Sequence, residues 1–234
     1  MGKDIFTFKQ FTVHQDRCAM KVGTDGVLLG AWAEGGMRIL DVGTGTGLIA
    51  LMMAQRFTTS RVVGVEIDAD ACLQAQQNAT ESPFASRLEI VNTRLQDYRP
   101  DIRFDSIVSN PPFFMNSLRN PDRQRSVARH TDTLSYTDLF RSVKTLLADS
   151  GVFSAVIPAE CVEEFISEGC IAGLFLNRKI GVETVVGRPA KRFLLAFGKQ
   201  TSVTFEPEIV CLRHKNGVSS DWYSRLTCAF YLDR

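Results

Sequence analysis

Asp41-Val-Gly43-Thr-Gly45-Thr-Gly47 follows the apolar run Arg38-Ile-Leu-Asp-Val42 and precedes the apolar run Leu48-Ile-Ala-Leu-Met-Met53. A buried strand, a turn of three glycines and a helix, in that order, describe the ligand-binding corner of an open α/β sheet. The glycines allow a tight turn and close approach of the main chain to a ligand. Their spacing is G-x-G-x-G, not the G-x-G-x-x-G of dinucleotide sites. Asp41 stands immediately ahead of the turn, where it repels a pyrophosphate and suits a cationic ammonium. Glu66 closes the next strand, Arg61-Val-Val-Gly-Val-Glu66, where a carboxylate can accept from both hydroxyls of a ribose.

The pattern continues outward from this corner. Helical spacing covers Leu48 to Phe57 and Asp70 to Thr80, with Ala71, Ala75 and Asn78 on one face. Leu88-Glu-Ile-Val-Asn92 and Phe104-Asp-Ser-Ile-Val-Ser109 read as strands. Ser135 caps a helix running to about Leu147, and Gly151 to Ile157 is a further strand. Regular strand–helix alternation means a mainly parallel sheet with helices on both faces. Glu160 to Glu168 reads as helix. Leu174 to Val182 and Arg192 to Gly198 read as an antiparallel pair closing the sheet, with Glu208 to Leu212 as another candidate strand and Asp221 to Phe230 as a last helix. No linker rich in Pro, Gly or Ser divides the chain.

A second motif, Ser109-Asn110-Pro111-Pro112-Phe113, ends the strand that begins at Phe104. Strand carboxyl ends are where open sheets bind ligands. Consecutive prolines fix φ, so the turn is stiff. A stiff turn can aim the Asn110 amide oxygen and the Pro111 carbonyl at one exocyclic amine. Two acceptors there favour a pyramidal nitrogen with its lone pair free, and no general base is required. Phe113 offers a face for stacking a flat base.

Bulk composition narrows the alternatives. The chain has 234 residues, 44% of them hydrophobic, enough for one large domain. No apolar run reaches the roughly 20 residues that span a bilayer, and Met1 to Lys9 lacks the apolar core of a secretory leader. A cytoplasmic protein without membrane partners is expected. The six cysteines form no C-x-x-C pair and there are three histidines, so no metal site is expected; the thiols read as reduced and mostly buried. Net charge is +1, so the whole chain is not a polyanion binder by composition. Basic residues nevertheless cluster at Arg119, Arg123, Arg125, Arg129 and His130, just beyond Phe113. Arg178, Lys179, Arg188, Lys191 and Arg192 form a looser group that reads as solvated surface.

Together, Asp41 to Gly47, Glu66 and Asn110 to Phe113 resemble the class I S-adenosylmethionine-dependent methyltransferases of the N6-adenine and N-glutamine type. More specific are Phe6-Thr-Phe-Lys-Gln-Phe11, the stretch Asp16 to Trp32 containing Lys21-Val-Gly-Thr-Asp25, Arg192-Phe-Leu-Leu-Ala-Phe197 and Ala229-Phe-Tyr-Leu232. These are similar to the bacterial tRNA (adenine-N6)-methyltransferases that modify adenosine 37 in the anticodon loop of valine-accepting tRNA.

The resemblance implies a Rossmann-like class I methyltransferase fold: a mainly parallel seven-stranded sheet with helices on both faces and an antiparallel C-terminal strand. Residues 1–36 become an N-terminal extension packing on the cofactor site, and 37–234 a single methyltransferase domain. S-adenosylmethionine becomes the cofactor, with Lys21, Thr24 and Asp25 near its methionine end. Asp41, Gly43, Gly45, Gly47 and Glu66 complete its site, Leu95 and Asp97 lie at the adenine, and Asn110 touches donor and acceptor. Arg94 stands where many of these enzymes carry the adenine-side acid, and Phe113 replaces the tyrosine common in the acceptor motif. Asn110, Pro111, Pro112 and Phe113 become the catalytic motif, and Arg119, Arg123, Arg125 and Arg129 an RNA-binding lip on a monomer. A protein glutamine methyltransferase, an rRNA guanine-N2 or DNA adenine-N6 enzyme, an inactive nucleoside-binding module and, weakest, a nicotinamide dehydrogenase remain open at this point.

Overall fold

The computed structural model describes residues 4–18, 20–112, 134–201 and 206–232. Ile5–Thr7 (β1) and Thr12–His14 (β2) pair antiparallel, and Thr24–Trp32 forms α1. Then come Arg38–Val42 (β3), Leu48–Arg56 (α2), Arg61–Glu66 (β4), Ala69–Glu81 (α3), Leu88–Asn92 (β5) and Phe104–Ser109 (β6). Tyr136–Leu146 (α4), Leu147–Pro158 (β7), Val162–Ile171 (α5), Phe175–Val185 (β8), Arg192–Gly198 (β9), Glu208–Arg213 (β10) and Asp221–Thr227 (α6) follow.

The main sheet has the order β10-β8-β9-β7-β6-β3-β4-β5. β9 lies antiparallel between β7 and β8, and the other neighbouring pairs are parallel. Among the described residues the sheet therefore has eight strands, one more than the seven expected, and its antiparallel strand is internal, not the last. The short connection from Val185 to Arg192 forces β9 to return beside β8, and β10 then adds in parallel at the edge, Glu208 opposite Ile180. Leu212 is the one buried residue of β10, so its sequence carries little strand signal.

Alternate strand residues feed two cores. Ile39, Val62, Val108 and Val156 pack with α1 and α2 on one face. Leu40, Val63, Ile107 and Phe153 pack with α4 and α5 on the other. This is the period-two alternation of a strand buried on both sides. Leu48 to Gln55 of α2 are all buried, because α1 covers the side turned away from the sheet. The two helices approach so closely that a Cβ at Gly30 would lie 2.8 Å from Met52 Sδ and 2.9 Å from Met52 Cβ. Gly30→Val is accordingly expected to destabilise by about 1–3 kcal/mol through overpacking. An unchanged urea midpoint would remove that close approach from the account.

The chain's two ends close on each other. Lys9 N donates to Phe230 O at 2.8 Å, and Gln55 Nε2 donates to Ala229 O at 2.8 Å. The Phe8 ring stacks on Phe11 and Tyr231, with centroids 4.7 and 5.9 Å away. The aromatic strings at Phe6 to Phe11 and Ala229 to Leu232 thus form one cluster. The thiols are unpaired, but only Cys72 and Cys161 are buried, while Cys170 and Cys228 are exposed. Cys18 and Cys211, the latter on the edge strand β10, are half-buried. No helix among the described residues is long and apolar enough to cross a membrane.

Candidate active site

Strand order reverses at β3: the chain steps to β4 and β5 on one side, then returns to β6 on the other. The carboxyl ends of β3 and β6 consequently flank a crevice, the usual ligand position in such sheets. A cleft of about 280 Å³ lies there. Lys21, Thr24 and Asp25 line it from the N-terminal side, Gly43 and Gly45 from the turn after β3, Asn110 from the end of β6, and Arg192 from the head of β9.

The turn needs its glycines. Gly43, Gly45 and Gly47 have φ of 67°, 55° and 82°, a region that side chains rarely enter. A Cβ on Gly43 would meet no described residue within 4 Å, so the main chain there is open to a ligand. From behind, the turn is held rigidly. Gly43 N and Thr44 N donate to Val65 O, at 2.9 and 3.1 Å. Gly45 N donates to Glu66 Oε2 at 2.8 Å. Asn78, fully buried on α3, donates from Nδ2 to Thr46 O and to His14 O, both at 2.9 Å, and accepts from His14 N at 2.8 Å. One side chain therefore ties the glycine turn to the N-terminal hairpin.

The structure turns Asp41 away from the position expected for it. Its carboxylate is fully buried beneath the turn, outside the cleft lining, where Oδ2 accepts from Thr44 Oγ1 at 2.6 Å and Ala50 N at 3.1 Å. Burial pushes its pKa up to about 7; the bonds from Thr44 and Ala50 oppose this, and the charge of Glu66 adds to it. A carboxyl raised in the folded state stabilises most below its unfolded value, about 3.9, and that stability drains as pH climbs toward 7. Asp41→Asn should therefore narrow the loss of stability between pH 5 and pH 8, read as urea midpoints. A loss as large as the parent's would assign the pH dependence to other groups.

Other expected residues lie around the cleft, not in its lining. Gly47 caps α2 and packs toward Ala75. Glu66 is half-buried, and its Oε1 also accepts from Asp68 N at 3.0 Å. Leu95 is buried in the core beneath the 3-10 turn Leu95–Asp97, and Asp97 is exposed, 3.9 Å from the Arg94 guanidinium. A larger groove between the Leu95 to Arg103 connection and α4 shares no lining residue with the cleft among the described residues. Phe113, Arg119, Arg123, Arg125 and Arg129 lie outside the described residues. Among the described residues no group of three or more His, Cys, Asp or Glu could hold a metal ion.

Asn110 carries the acceptor chemistry. Its Oδ1 is buried at the cleft with no hydrogen-bond partner among the described residues, while Nδ2 faces Met20 Sδ at 3.8 Å. A buried amide oxygen without a donor costs about 1–3 kcal/mol, so the site is complementary to a ligand N–H. Pro111 is buried directly beside it. A glycine cradle open at Gly43 and an orphaned acceptor at Asn110 together fit a nucleoside cofactor next to a flat amine.

Arg192 is the residue that the sequence left among surface charges. Its Nη1 lies 2.5 Å from Asp25 Oδ1, and its side chain is 20% exposed. The signal was topological: an antiparallel strand presents its first residue where the parallel strands end, and Arg192 pairs with Pro158.

Comparison with known proteins agrees with this geometry. A family model described as "Methyltransferase small domain" matches residues 22–162. The chain is 47% identical over 243 residues to the tRNA1(Val) (adenine(37)-N6)-methyltransferase of Parabacteroides distasonis, covering 99% of each. It is 40% identical to the protein of the same name from Tolumonas auensis, covering 99% of this chain and 98% of that one. A crystal structure of a predicted O-methyltransferase from Agrobacterium tumefaciens superposes with a TM-score of 0.64 at 18% identity, covering 88% of this chain and 96% of that one. The glycopeptide N-methyltransferase MtfA complexed with S-adenosyl-L-methionine gives 0.56 at 13% identity, over 77% and 100%. These two share the fold. With near-complete coverage at such identity, the chain belongs to the tRNA1(Val) (adenine(37)-N6)-methyltransferase family, within the methyltransferase small-domain family.

Proposed function

We propose that the protein methylates N6 of adenosine 37, beside the anticodon of valine tRNA, using S-adenosylmethionine, and that it does so as a cytoplasmic monomer. The observation that carries this reading is the buried Asn110 Oδ1, without a partner among the described residues, opposite the glycine turn. S-adenosylmethionine supplies the electrophilic methyl group on its sulfonium. Lys21, Thr24 and Asp25 hold the methionine end, and the main chain of Gly43 and Gly45 approaches the cofactor closely. Asp41 and Gly47 act from behind by fixing the turn. Glu66 keeps its bonds to Gly45 N and Asp68 N and still has lone pairs for the ribose hydroxyls. Leu95 and Asp97 serve the adenine end, since Thr93 N donates to Glu66 O at 3.0 Å and places that turn next to Glu66. Residues 1–36 form a cover on the cofactor site of a single domain spanning 37–234; Lys21, Thr24 and Asp25 of that cover line the cleft.

Asn110 Oδ1 and the Pro111 carbonyl accept hydrogen bonds from the two N–H groups of the adenine amine and leave its lone pair free. The new C–N bond would form as the sulfonium's S–CH3 bond breaks, and the extra proton then passes to water, so no side chain with a shifted pKa is needed. Pro112 stiffens the turn and Phe113 stacks the extruded base, offsetting part of the few kcal/mol of unstacking. Arg119, Arg123, Arg125 and Arg129 contact phosphates at the mouth. The test is transfer of labelled methyl to total bacterial tRNA, followed by nucleoside analysis. N6-methyladenosine dependent on the protein supports the reading. A different methylated nucleoside reassigns the base, and label found only in protein glutamine, rRNA or DNA rejects the tRNA.

A further inference from the structure

We propose that Arg192 is the oxyanion receptor of the cleft, binding either the carboxylate of the methyl donor or a phosphodiester of the RNA; the inference rests on the proposed methyl transfer. Three observations carry it. First, the backbone of Arg192 is fixed from both sides, opposite Pro158 of β7 and Val182 of β8, so the side chain rises from rigid sheet at the ligand edge. Second, among the described residues its hydrogen-bond partner is Asp25 Oδ1 alone, and the guanidinium fork has further N–H donors to offer. Third, Arg192 and its partner Asp25 both line the cleft, so the guanidinium stands where a ligand enters.

Asp25 does two things in this arrangement. It orients the fork, and it offsets the cost of keeping a largely buried cation in a free cleft. An entering oxyanion can take two parallel N–H donors from the same guanidinium, a geometry that lysine cannot match. Carboxylate and phosphodiester share this chemistry, and the two sources separate by experiment.

The full-length parent, Arg192→Gln and Arg192→Lys are titrated calorimetrically with S-adenosylhomocysteine and with 5′-methylthioadenosine, which lacks the amino-acid end. Binding of tRNA is followed by gel shift across a salt series. If Arg192 holds the carboxylate, Arg192→Gln weakens S-adenosylhomocysteine by about tenfold or more while methylthioadenosine binds as before. If it holds a phosphodiester, both small ligands bind as before, tRNA affinity falls by a similar factor, and the salt slope drops by about one. In either case Arg192→Lys recovers part of the lost affinity. Arg192→Gln that binds all three ligands like the parent overturns the proposal. So does an equal loss for both small ligands with no change in tRNA salt slope, since that marks a collapsed cleft. Should Arg192→Gln not fold, the Arg192→Lys comparison decides, because the lost fork geometry still separates the ligands. Failure of the parent to methylate tRNA defeats the proposed function, while the two small-ligand titrations still test Arg192.

Discussion

Asn110→Ala is expected to lower kcat by about a hundredfold or more while changing the affinity for S-adenosylhomocysteine only a few-fold. Removing one preorganised polar group aimed at the reacting atom typically costs 10²–10³ in turnover. Asn110 Oδ1 is such a group: buried, without a partner among the described residues, and lining the cleft opposite the glycine turn. Its Nδ2 contact with Met20 Sδ, at 3.8 Å, is too weak to define a structural role. The variant loses an acceptor that no described residue uses, so its stability should hold. Turnover equal to the parent's would take Asn110 out of the acceptor site. A parallel collapse of cofactor affinity would show that it shapes the donor side instead.

Asn78→Leu should be the most damaging substitution away from the reacting atoms. It leaves His14 N–H, His14 C=O and Thr46 C=O without the partner they have on α3. Unpaired buried polar groups cost about 1–3 kcal/mol each and do not sum fully, so a loss of about 3–5 kcal/mol is expected. Because Thr46 belongs to the glycine turn, affinity for S-adenosylhomocysteine should fall as well. Urea unfolding and calorimetry on one preparation check both effects. A loss below about 1 kcal/mol with intact ligand affinity would show that the turn does not depend on α3.

Much of this architecture was legible because its signals are local. Arg38–Val42, Arg61–Glu66 and Phe104–Ser109 declare themselves by short β-branched runs between turn residues. Gly43, Gly45 and Gly47 are glycines where φ is positive. Ser135 caps α4 as its spacing indicates, accepting from Asp138 N at 3.1 Å. What stayed hidden depends on long-range topology. Asn78 looks like one more residue on a helix face until β2 and the glycine turn arrive on either side of it. Arg192 looks like surface until β9 inserts antiparallel and brings its first residue to the ligand edge. Asp41 precedes the glycines in every reading, but the direction of its carboxylate is decided by Thr44 and by Ala50 on α2, which fold over it. β10 was marginal for a different reason: as a half-exposed edge strand it has little apolar pattern to display.

The most direct test uses two unmodified valine tRNA transcripts that differ only at position 37, adenosine in one and guanosine in the other. Each is incubated with the protein and S-adenosylmethionine, digested and analysed for methylated nucleosides. One N6-methyladenosine per adenosine-37 transcript is expected, and none in the guanosine-37 transcript. Equal methylation of both, or none of either while another nucleic acid or a protein glutamine is labelled, would contradict it.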